Sequence, residues 1–331
     1  MTGITVNPAA GRIGAEIDGV DISRPLDADQ IRTIQQALDE WKVLIFRNQQ
    51  LDHETHIAFG RQFGELTYGH PHHEPPKDAP EIYTIQHRRF EKQLGGDSTR
   101  ELRKYAYAGN NGWHSDLTPF INPPAGAILR SEVLPNYGGD TQYTNLVAAY
   151  DGLSEPFKEF VDGLRAEHRY GANWSGMPQP SVAGFKKRVE ENALVAHHPI
   201  VRVHPRTGEK ALFVNPIYTD HIVGLSPIES RLVLGYLFDE IARPEYTVRF
   251  RWAPGTVIFW DNRATCHIPP RDLDHLDVER VLHRVTLVGE VPVGPDGRES
   301  EALEGPRLGS EPVFNSTFFD RSDRAAQEQM A

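Results

Sequence analysis

The sequence predicts a mainly β fold with flanking helices, built around a double-sheet jelly roll (a double-stranded β-helix). Many short segments alternate apolar and polar residues as half-buried strands do, and only a few segments show helical spacing. The 331 residues are 39% hydrophobic, enough for one sizeable core, and no Pro/Ser-rich linker divides them. We therefore expect a single domain over residues 1–293. Residues 294–331 are rich in Gly, Pro, Glu and Ser, which predicts an extended or disordered tail in which Val313-Phe314 and Phe318-Phe319 can dock.

The first elements follow from residue period and capping. Residues 14–21 alternate apolar and polar side chains, which predicts a half-buried strand. Asp27 or Asp29 can cap a helix whose apolar residues recur at helical spacing as far as Trp41. The apolar run at 43–46 predicts a buried strand, and a second helix is expected at about 53–63.

The later elements are predicted in the same way. Strands are expected at 126–133, 246–252, 255–260 and 281–288, and residues 200–204 and 211–215 are expected to pair as a hairpin. Helices are expected at 155–164 and at 227–242, the second capped by Ser226 and closed before Pro244.

A His-x-Asp motif at His114 and Asp116 is the first candidate for chemistry. If it lies on a strand, the period of two places both side chains on one face, where they can converge on one metal ion. The motif alone is a weak signal. With 15 histidines in the chain, about one chance match is expected at ordinary Asp usage, and His275 and Asp277 form a second one.

A third ligand is offered by His267, which follows a predicted buried strand at the end of the run 260–267. Two histidines and one carboxylate that leave other positions open suit non-haem Fe(II) and its oxygen chemistry. We therefore predict a metal site formed by His114, Asp116 and His267.

The strand predicted at 281–288 carries cationic residues. Its alternation places Arg280, Leu282, Arg284 and Thr286 on one face. Arginines on an otherwise apolar strand are costly to bury unless an anion lies against them. A dicarboxylate ligand would meet that need.

Four motifs in this order resemble the TauD/TfdA family of Fe(II)- and 2-oxoglutarate-dependent dioxygenases. They are Asn-x-x-Trp-His-Ser-Asp at 110–116, Tyr-Gly-Gly-Asp-Thr at 137–141, Trp-Asp-Asn-Arg-x-Thr-x-His at 260–267, and His-Arg-Val-Thr-Leu at 283–287. The match covers most of residues 5–292 and is far more specific than any one motif.

The resemblance implies a role for each matching residue. His114, Asp116 and His267 correspond to the iron ligands, and Thr141 and Arg280 to the pair that holds the distal carboxylate of 2-oxoglutarate. Arg284 corresponds to the arginine between the cosubstrate and the substrate anion. The remaining substrate contacts implied are His70 and Asn110.

The resemblance also implies a reaction. Residues 1–293 would form a catalytic domain that uses O2 and 2-oxoglutarate to oxidise a small anionic substrate such as a sulfonate, sulfate ester or carboxylate, releasing succinate and CO2. The outcome can be hydroxylation, oxidative cleavage, desaturation or epoxidation, and a homo-oligomer is implied.

Two other functions are alternatives for the same metal ligands. A zinc hydrolase would need a general base and has no use for the paired arginines. A non-catalytic metal- or ligand-binding jelly roll would lack the anchors Thr141 and Arg280.

Two segments near these motifs leave alternatives open. Residues 88–109 form an insertion relative to the family pattern, rich in basic residues, which can be a lid or a solvated loop. The turn with His70, His72 and His73 can be a second metal site, a solvated loop, or a place where His70 contacts the substrate.

Charge and composition restrict the partners and the compartment. A net charge of -11 argues against a nucleic-acid surface. The single cysteine, Cys266, cannot form an internal disulfide and suits a reducing compartment. The sequence shows no export signal and no apolar run long enough to span a bilayer, so we expect a cytoplasmic protein without membrane association.

Overall fold

The computed structural model describes residues 3–71, 73, 75–86, 112–172, 190–268, 272–273 and 275–314. Within them lie the following strands: β1 (Thr5–Pro8), β2 (Ala15–Asp18), β3 (Val43–Phe46), β4 (Tyr83–Gln86), β5 (Gly126–Val133), β6 (Thr141–Asn145), β7 (Arg165–Arg169), β8 (Val195–Pro199), β9 (Val201–Val203), β10 (Lys210–Leu212), β11 (Thr219–Ile222), β12 (Thr247–Phe250), β13 (Val257–Asp261), β14 (Thr265–Ile268), β15 (Val281–Leu287) and β16 (Glu301–Glu304). The helices in the same residues are α1 (Ala28–Trp41), α2 (His53–Arg61), α3 (Leu146–Asp151), α4 (Glu155–Asp162) and α5 (Pro227–Ile241), with a 3-10 turn at Pro244–Tyr246.

Local sequence signals account for the element boundaries. Asp27 caps α1 in a capping box with Gln30, and Ser226 caps α5 in a capping box with Glu229, with Pro227 at the first helical position. The predicted helices, the buried strand β3 and the strands β5, β13 and β15 are all confirmed within a few residues.

Two sheets face each other and form the predicted jelly roll. The larger sheet has seven strands in the order β1-β2-β3-β13-β5-β15-β4, and the smaller has three in the order β12-β6-β14. An apolar cluster fills the space between them, with Trp260 and Leu282 from the larger sheet packed with Tyr143 and Phe250 from the smaller. Because alternate residues of a strand point to opposite faces, this interior receives every second side chain of β13 and β15.

Helices α1 and α2 cover the outer face of the larger sheet. Leu38 and Phe59 from these helices pack with Ile128, Phe259 and Val285, which are the alternate residues of β5, β13 and β15. The larger sheet is therefore buried on both faces, which explains why its central strands read as nearly continuous apolar runs.

A second layer of structure extends the jelly roll. It consists of a four-stranded sheet, β11-β7-β8-β16, and the hairpin of β9 and β10, packed with α3 and α5. Strand β16 belongs to the tail and pairs antiparallel with β8. Further along the tail, Leu308 is buried with Leu117 and Phe120, and Val313 and Phe314 pack against the same cluster. Residues 301–314 are thus attached to the domain, and Phe318-Phe319 lie outside the described residues.

None of the helices in the described residues has the length and hydropathy that crossing a bilayer requires.

Two histidines deep in the fold are held as neutral groups. His56 on α2 has its Nε2 3.1 Å from the carbonyl oxygen of Ile128, and His198 on β8 has its Nε2 2.7 Å from that of Thr118. Burial lowers the pKa of each imidazole to about 3.

We predict that the metal-free protein loses stability as the pH falls from about 6.5 towards 3. In this range the unfolded chain protonates both histidines while the folded chain does not, so each can lower the free energy of unfolding by up to about 1.4 kcal/mol per pH unit. His56→Gln, which keeps a donor for the Ile128 carbonyl, should reduce this slope. Urea denaturation at a series of pH values measures it. The exposed His275→Gln is the control, and an unchanged slope in His56→Gln would contradict the prediction.

Candidate active site

The His-x-Asp segment lies in a turn and not on a regular strand. His114 makes a single antiparallel bridge with His267, with N–H to O distances of 2.9 Å and 2.7 Å in the two directions. Leu117 then takes a left-handed conformation with φ 49°, so the chain turns away directly after Asp116. The strand expected at this place is therefore reduced to one bridged pair, because the turn leaves no further residues to pair.

The β13–β14 turn, residues 262–264, holds this segment in place. It links the larger sheet to the smaller one, since β13 belongs to the first and β14 to the second. The Ser115 hydroxyl donates to the carbonyl oxygen of Thr265 at 2.8 Å, and the Asn262 side chain bonds to the backbone of Asp116. The predicted motif 260–267 thus supplies one ligand, His267, and also supports the other two.

The side chains of His114, Asp116 and His267 converge between the two sheets. Their potential ligand atoms all lie within 4.8 Å of one another, and the His267 Nε2 is 4.0 Å from the Asp116 Oδ2. The Asp116 Oδ1 accepts a hydrogen bond from the Arg284 Nη1 at 2.8 Å, whereas its buried Oδ2 has no hydrogen-bond partner among the described residues. The other His-x-Asp pair, His275 and Asp277, is exposed and takes no part in this cluster.

The protonation state of the three groups suits a divalent metal. Burial lowers the pKa of His114, and lowers that of His267 to about 3, so both imidazoles are neutral. Burial opposes ionisation of Asp116, but the adjacent Arg284 guanidinium favours the charged carboxylate, and the pKa of the carboxyl lies at about 2. The His114 Nδ1 lies 3.0 Å from the carbonyl oxygen of Gly112 and donates to it, which leaves Nε2 as the free lone pair. Two neutral imidazoles and a carboxylate are the forms that bind metals.

Arg280 lies in a separate polar pocket with Thr141. The hydroxyl oxygen of Thr141, on β6, accepts from the Trp252 Nε1 at 3.0 Å and from the Arg280 Nη2 at 3.4 Å. Arg280 is only 5% exposed, and burial lowers its pKa to about 10, which leaves it protonated at neutral pH. Within the described ranges no carboxylate forms an ion pair with it. Trp252, which the sequence reasoning missed, ends the alternating segment 246–252.

Several buried polar atoms around these residues have no hydrogen-bond partner within the part of the chain that the structure describes. They are the Tyr143 hydroxyl, the Thr286 hydroxyl, the Nε atoms of Arg280 and Arg284, and the Asp116 Oδ2. Buried polar groups are normally paired, so a cluster of orphaned ones indicates a place that a ligand completes. Burial raises the pKa of Tyr143, so its hydroxyl is a neutral donor. Tyr143 lies two residues after Thr141 and therefore on the same face of the strand, so the strand period could have predicted it as a residue of the site.

His70 is buried and not part of a solvated turn. Its ring lies 4.4 Å from that of Tyr83 and 4.6 Å from that of His73, which is also buried. This group also contacts the site, since the Arg284 guanidinium lies 5.2 Å from the centre of the Tyr83 ring. The solvated-loop interpretation is therefore wrong for His70 and His73. His72, Asn110 and the insertion 88–109 lie outside the described residues.

Several known proteins are similar to this chain over most of its length. The family model described as taurine catabolism dioxygenase TauD, TfdA family, matches residues 5–286. An alpha-ketoglutarate-dependent sulfate ester dioxygenase from Pseudomonas putida is 38% identical over 303 residues, which are 90% of this chain and 93% of that protein. An alkylsulfatase from Acinetobacter baylyi is 36% identical over 307 residues, which are 91% of this chain and 90% of that protein.

Solved structures give the same result. The crystal structure of a taurine dioxygenase from Burkholderia xenovorans superimposes with a TM-score of 0.78 at 46% sequence identity, covering 92% of this chain and 96% of that one. The resemblance read from the four sequence motifs is thereby confirmed. The chain belongs to the TauD/TfdA family of alpha-ketoglutarate-dependent dioxygenases, oxidoreductases built on a jelly-roll core.

Proposed function

We propose that His114, Asp116 and His267 bind Fe(II). The observation that supports this is the buried Oδ2 of Asp116, which has no hydrogen-bond partner in the described ranges and lies near two neutral imidazoles, with all potential ligand atoms within 4.8 Å of one another. Two nitrogens and one carboxylate oxygen suit Fe(II) and leave positions for a cosubstrate. When bound, Fe(II) supplies the reaction with O2 that couples decarboxylation of 2-oxoglutarate to oxidation of the substrate. The protein orients the reactants and excludes water.

Arg280 and Thr141 hold the distal carboxylate of 2-oxoglutarate in this proposal. The guanidinium is buried and protonated, and no described carboxylate forms an ion pair with it, so an incoming carboxylate would compensate its charge. The Thr141 oxygen already accepts from Trp252 and Arg280, which leaves its own proton for the same carboxylate. A zinc hydrolase would have no use for this pocket, so the arrangement favours the oxygenase.

The balance of buried charge favours an anionic substrate. Among the described residues of the site, Arg280 and Arg284 are cationic and Asp116 is anionic, which leaves one positive charge. A divalent iron and the dianion of 2-oxoglutarate cancel each other. A singly charged substrate anion would then neutralise the site, and uncompensated buried charge is costly.

We infer that the substrate is an organic sulfate ester or sulfonate. The relatives from Pseudomonas and Acinetobacter carry names of enzymes that act on sulfate esters. Both substrate types are single anions at neutral pH. Hydroxylation of the carbon that bears the head group gives an unstable product, which separates into an aldehyde and sulfate or sulfite. Arg284 is the cationic side chain nearest to the proposed ligands, and together with Tyr83 and His70 it offers hydrogen-bond donors for that head group.

This chemistry also fits the compartment expected from the sequence. Fe(II) is kept reduced in the cytoplasm, and Cys266 is a buried free thiol. We therefore propose a cytoplasmic enzyme.

The metal site predicts a spectroscopic result. The protein with Fe(II) and 2-oxoglutarate, without oxygen, should show a weak visible metal-to-ligand charge-transfer band. His114→Ala, Asp116→Ala and His267→Ala should each abolish the band, because each removes one ligand. His275→Ala is the control from the exposed His-x-Asp pair and should retain it. Loss of the band only in His275→Ala would mean that the ligands are assigned to the wrong pair.

Arg280→Ala should weaken binding of 2-oxoglutarate to the Fe(II)-loaded protein. A charge-assisted hydrogen bond contributes about 1.5–3 kcal/mol, or roughly 10- to 150-fold in Kd. Thr141→Ala should have a smaller effect in the same direction. Titration of the charge-transfer band measures the affinity. Arg251→Ala, an exposed arginine next to Trp252 in sequence, is the matched control. Equal affinity in Arg280→Ala and wild type would refute this anchor.

The anion requirement can be tested with substrates of nearly equal shape. Hexyl sulfate and hexanesulfonate should yield hexanal and succinate in equal amounts, whereas the neutral hexyl methyl sulfone should react with kcat/KM lower by roughly 10- to 150-fold, the value of a charged hydrogen bond. Heptanoate tests the head group. A preference for heptanoate would contradict a sulfate or sulfonate head group but agree with an anionic substrate. Efficient turnover of the sulfone would contradict both claims.

A further inference from the structure

Asp116 lies at a place where the sheet cannot supply hydrogen bonds to its backbone. The bridge to β14 ends at His114, and the left-handed Leu117, directly after Asp116, turns the chain away. Asp116 is nevertheless buried. A buried backbone N–H and C=O must find partners elsewhere, because leaving them unpaired is costly.

The side chain of Asn262 supplies both partners. Its Oδ1 accepts the Asp116 N–H at 2.7 Å, and its Nδ2 donates to the Asp116 carbonyl oxygen at 3.1 Å. The second proton of Nδ2 goes to the carbonyl oxygen of Pro124, also at 3.1 Å. A primary amide is the group that can accept and donate side by side in this way, as a neighbouring strand would. Asn262 thus takes the place of a strand beside Asp116.

Asn262 is itself held firmly. It is 1% exposed, and its backbone N–H donates to the carbonyl oxygen of Ala125 at 3.0 Å. The preceding residue, Asp261, is fully buried, with its carboxylate 2.9 Å from the His204 Nε2 and in contact with the Arg263 guanidinium at 2.8 Å and 2.6 Å. The amide therefore offers Asp116 a fixed support.

The same turn leads directly into β14 and His267. The position of one histidine ligand and the position of the carboxylate ligand therefore depend on residues of a single turn, 262–264. We propose that Asn262 is a positioning residue for the metal site, which fixes Asp116 at the distance and orientation that ligation requires. The inference rests on the proposed metal-binding role of Asp116.

A second buried asparagine makes the same kind of contact away from the proposed metal ligands. Asn122 is 2% exposed, and its amide bonds in the same two-way manner to the backbone of Leu308, at 2.9 Å in each direction. Its Nδ2 also donates to the carbonyl oxygen of Gly289 at 3.2 Å. Asn122→Ala thus removes the same number and kind of buried hydrogen bonds as Asn262→Ala, but from the tail.

The experiment compares the Mn(II) affinity of metal-free wild type, Asn262→Ala and Asn122→Ala, measured from the electron paramagnetic resonance signal of free Mn(II). Asn262→Ala should raise the Kd by about 10- to 100-fold, the usual effect of losing a group that orients a metal ligand. Asn122→Ala should leave the Kd close to that of wild type. Both variants should lower the melting temperature of the metal-free protein to a similar extent. With saturating Fe(II) and 2-oxoglutarate, only Asn262→Ala should shift the charge-transfer band.

Other outcomes are equally informative. Equal Mn(II) affinity in Asn262→Ala and wild type would overturn the inference. An equal loss of Mn(II) affinity in Asn262→Ala and Asn122→Ala would overturn it too, because the Asn262 contact would then contribute only to the stability of the fold. If Asn262→Ala does not fold, Asn262→Ser, which leaves a hydroxyl in the space, replaces it in the same comparison. If wild type binds neither Mn(II) nor Fe(II), the proposed metal site fails and this inference fails with it. If wild type binds metal and Asn262→Ala binds it equally well, only the inference about Asn262 fails.

Discussion

The ion pair between Asp116 and Arg284 is the interaction on which the site depends. Its atoms approach to 2.8 Å, and both side chains are almost completely buried between the sheets. Removing either charge from water is costly, and their attraction repays that cost only with good geometry. The pair joins the turn at 114–117 to strand β15 of the larger sheet, so it holds the carboxylate ionised and ties the turn to the jelly roll.

The rest of the interior is arranged around this pair. Strand alternation directs Leu282 and Trp260 into the apolar cluster between the sheets, and the same alternation directs Arg284 into the site. Tyr143 belongs to both regions, since its ring packs with Trp260 and its hydroxyl is one of the orphaned polar atoms. One set of inward-facing strand positions therefore provides both the core and the polar pocket.

The sequence predicted the elements whose signals are local. Strand β3 has the predicted bounds, and α5 begins at the predicted cap Ser226, because period and capping are read from neighbouring residues. The roles of Asn262 and Trp252 were not predicted, since each depends on a partner more than a hundred residues away. Strand β16 was missed for the same reason. It forms by pairing with the distant strand β8, and its four residues are all exposed, so they show no apolar alternation. The motif spacing indicated which ligand residues belong together, whereas the turn that unites them appears only in three dimensions.

The backbones of the three proposed ligands are held in place in different ways, which couples the site to the fold through Asp116. His267 lies on a strand and His114 is bridged to it, so the backbone of each is held by the sheet. Among the described residues, Asp116 is held by side chains, Asn262 at its backbone and Arg284 at its carboxylate. Removing the Asp116 carboxylate would therefore do more than remove a ligand, because it would leave the buried Arg284 cation unpaired, a change that typically costs about 3–5 kcal/mol. The carboxylate thus has two functions, one in the metal-free fold and one in the proposed metal site, and a bound divalent cation would share the negative charge that Arg284 otherwise neutralises alone.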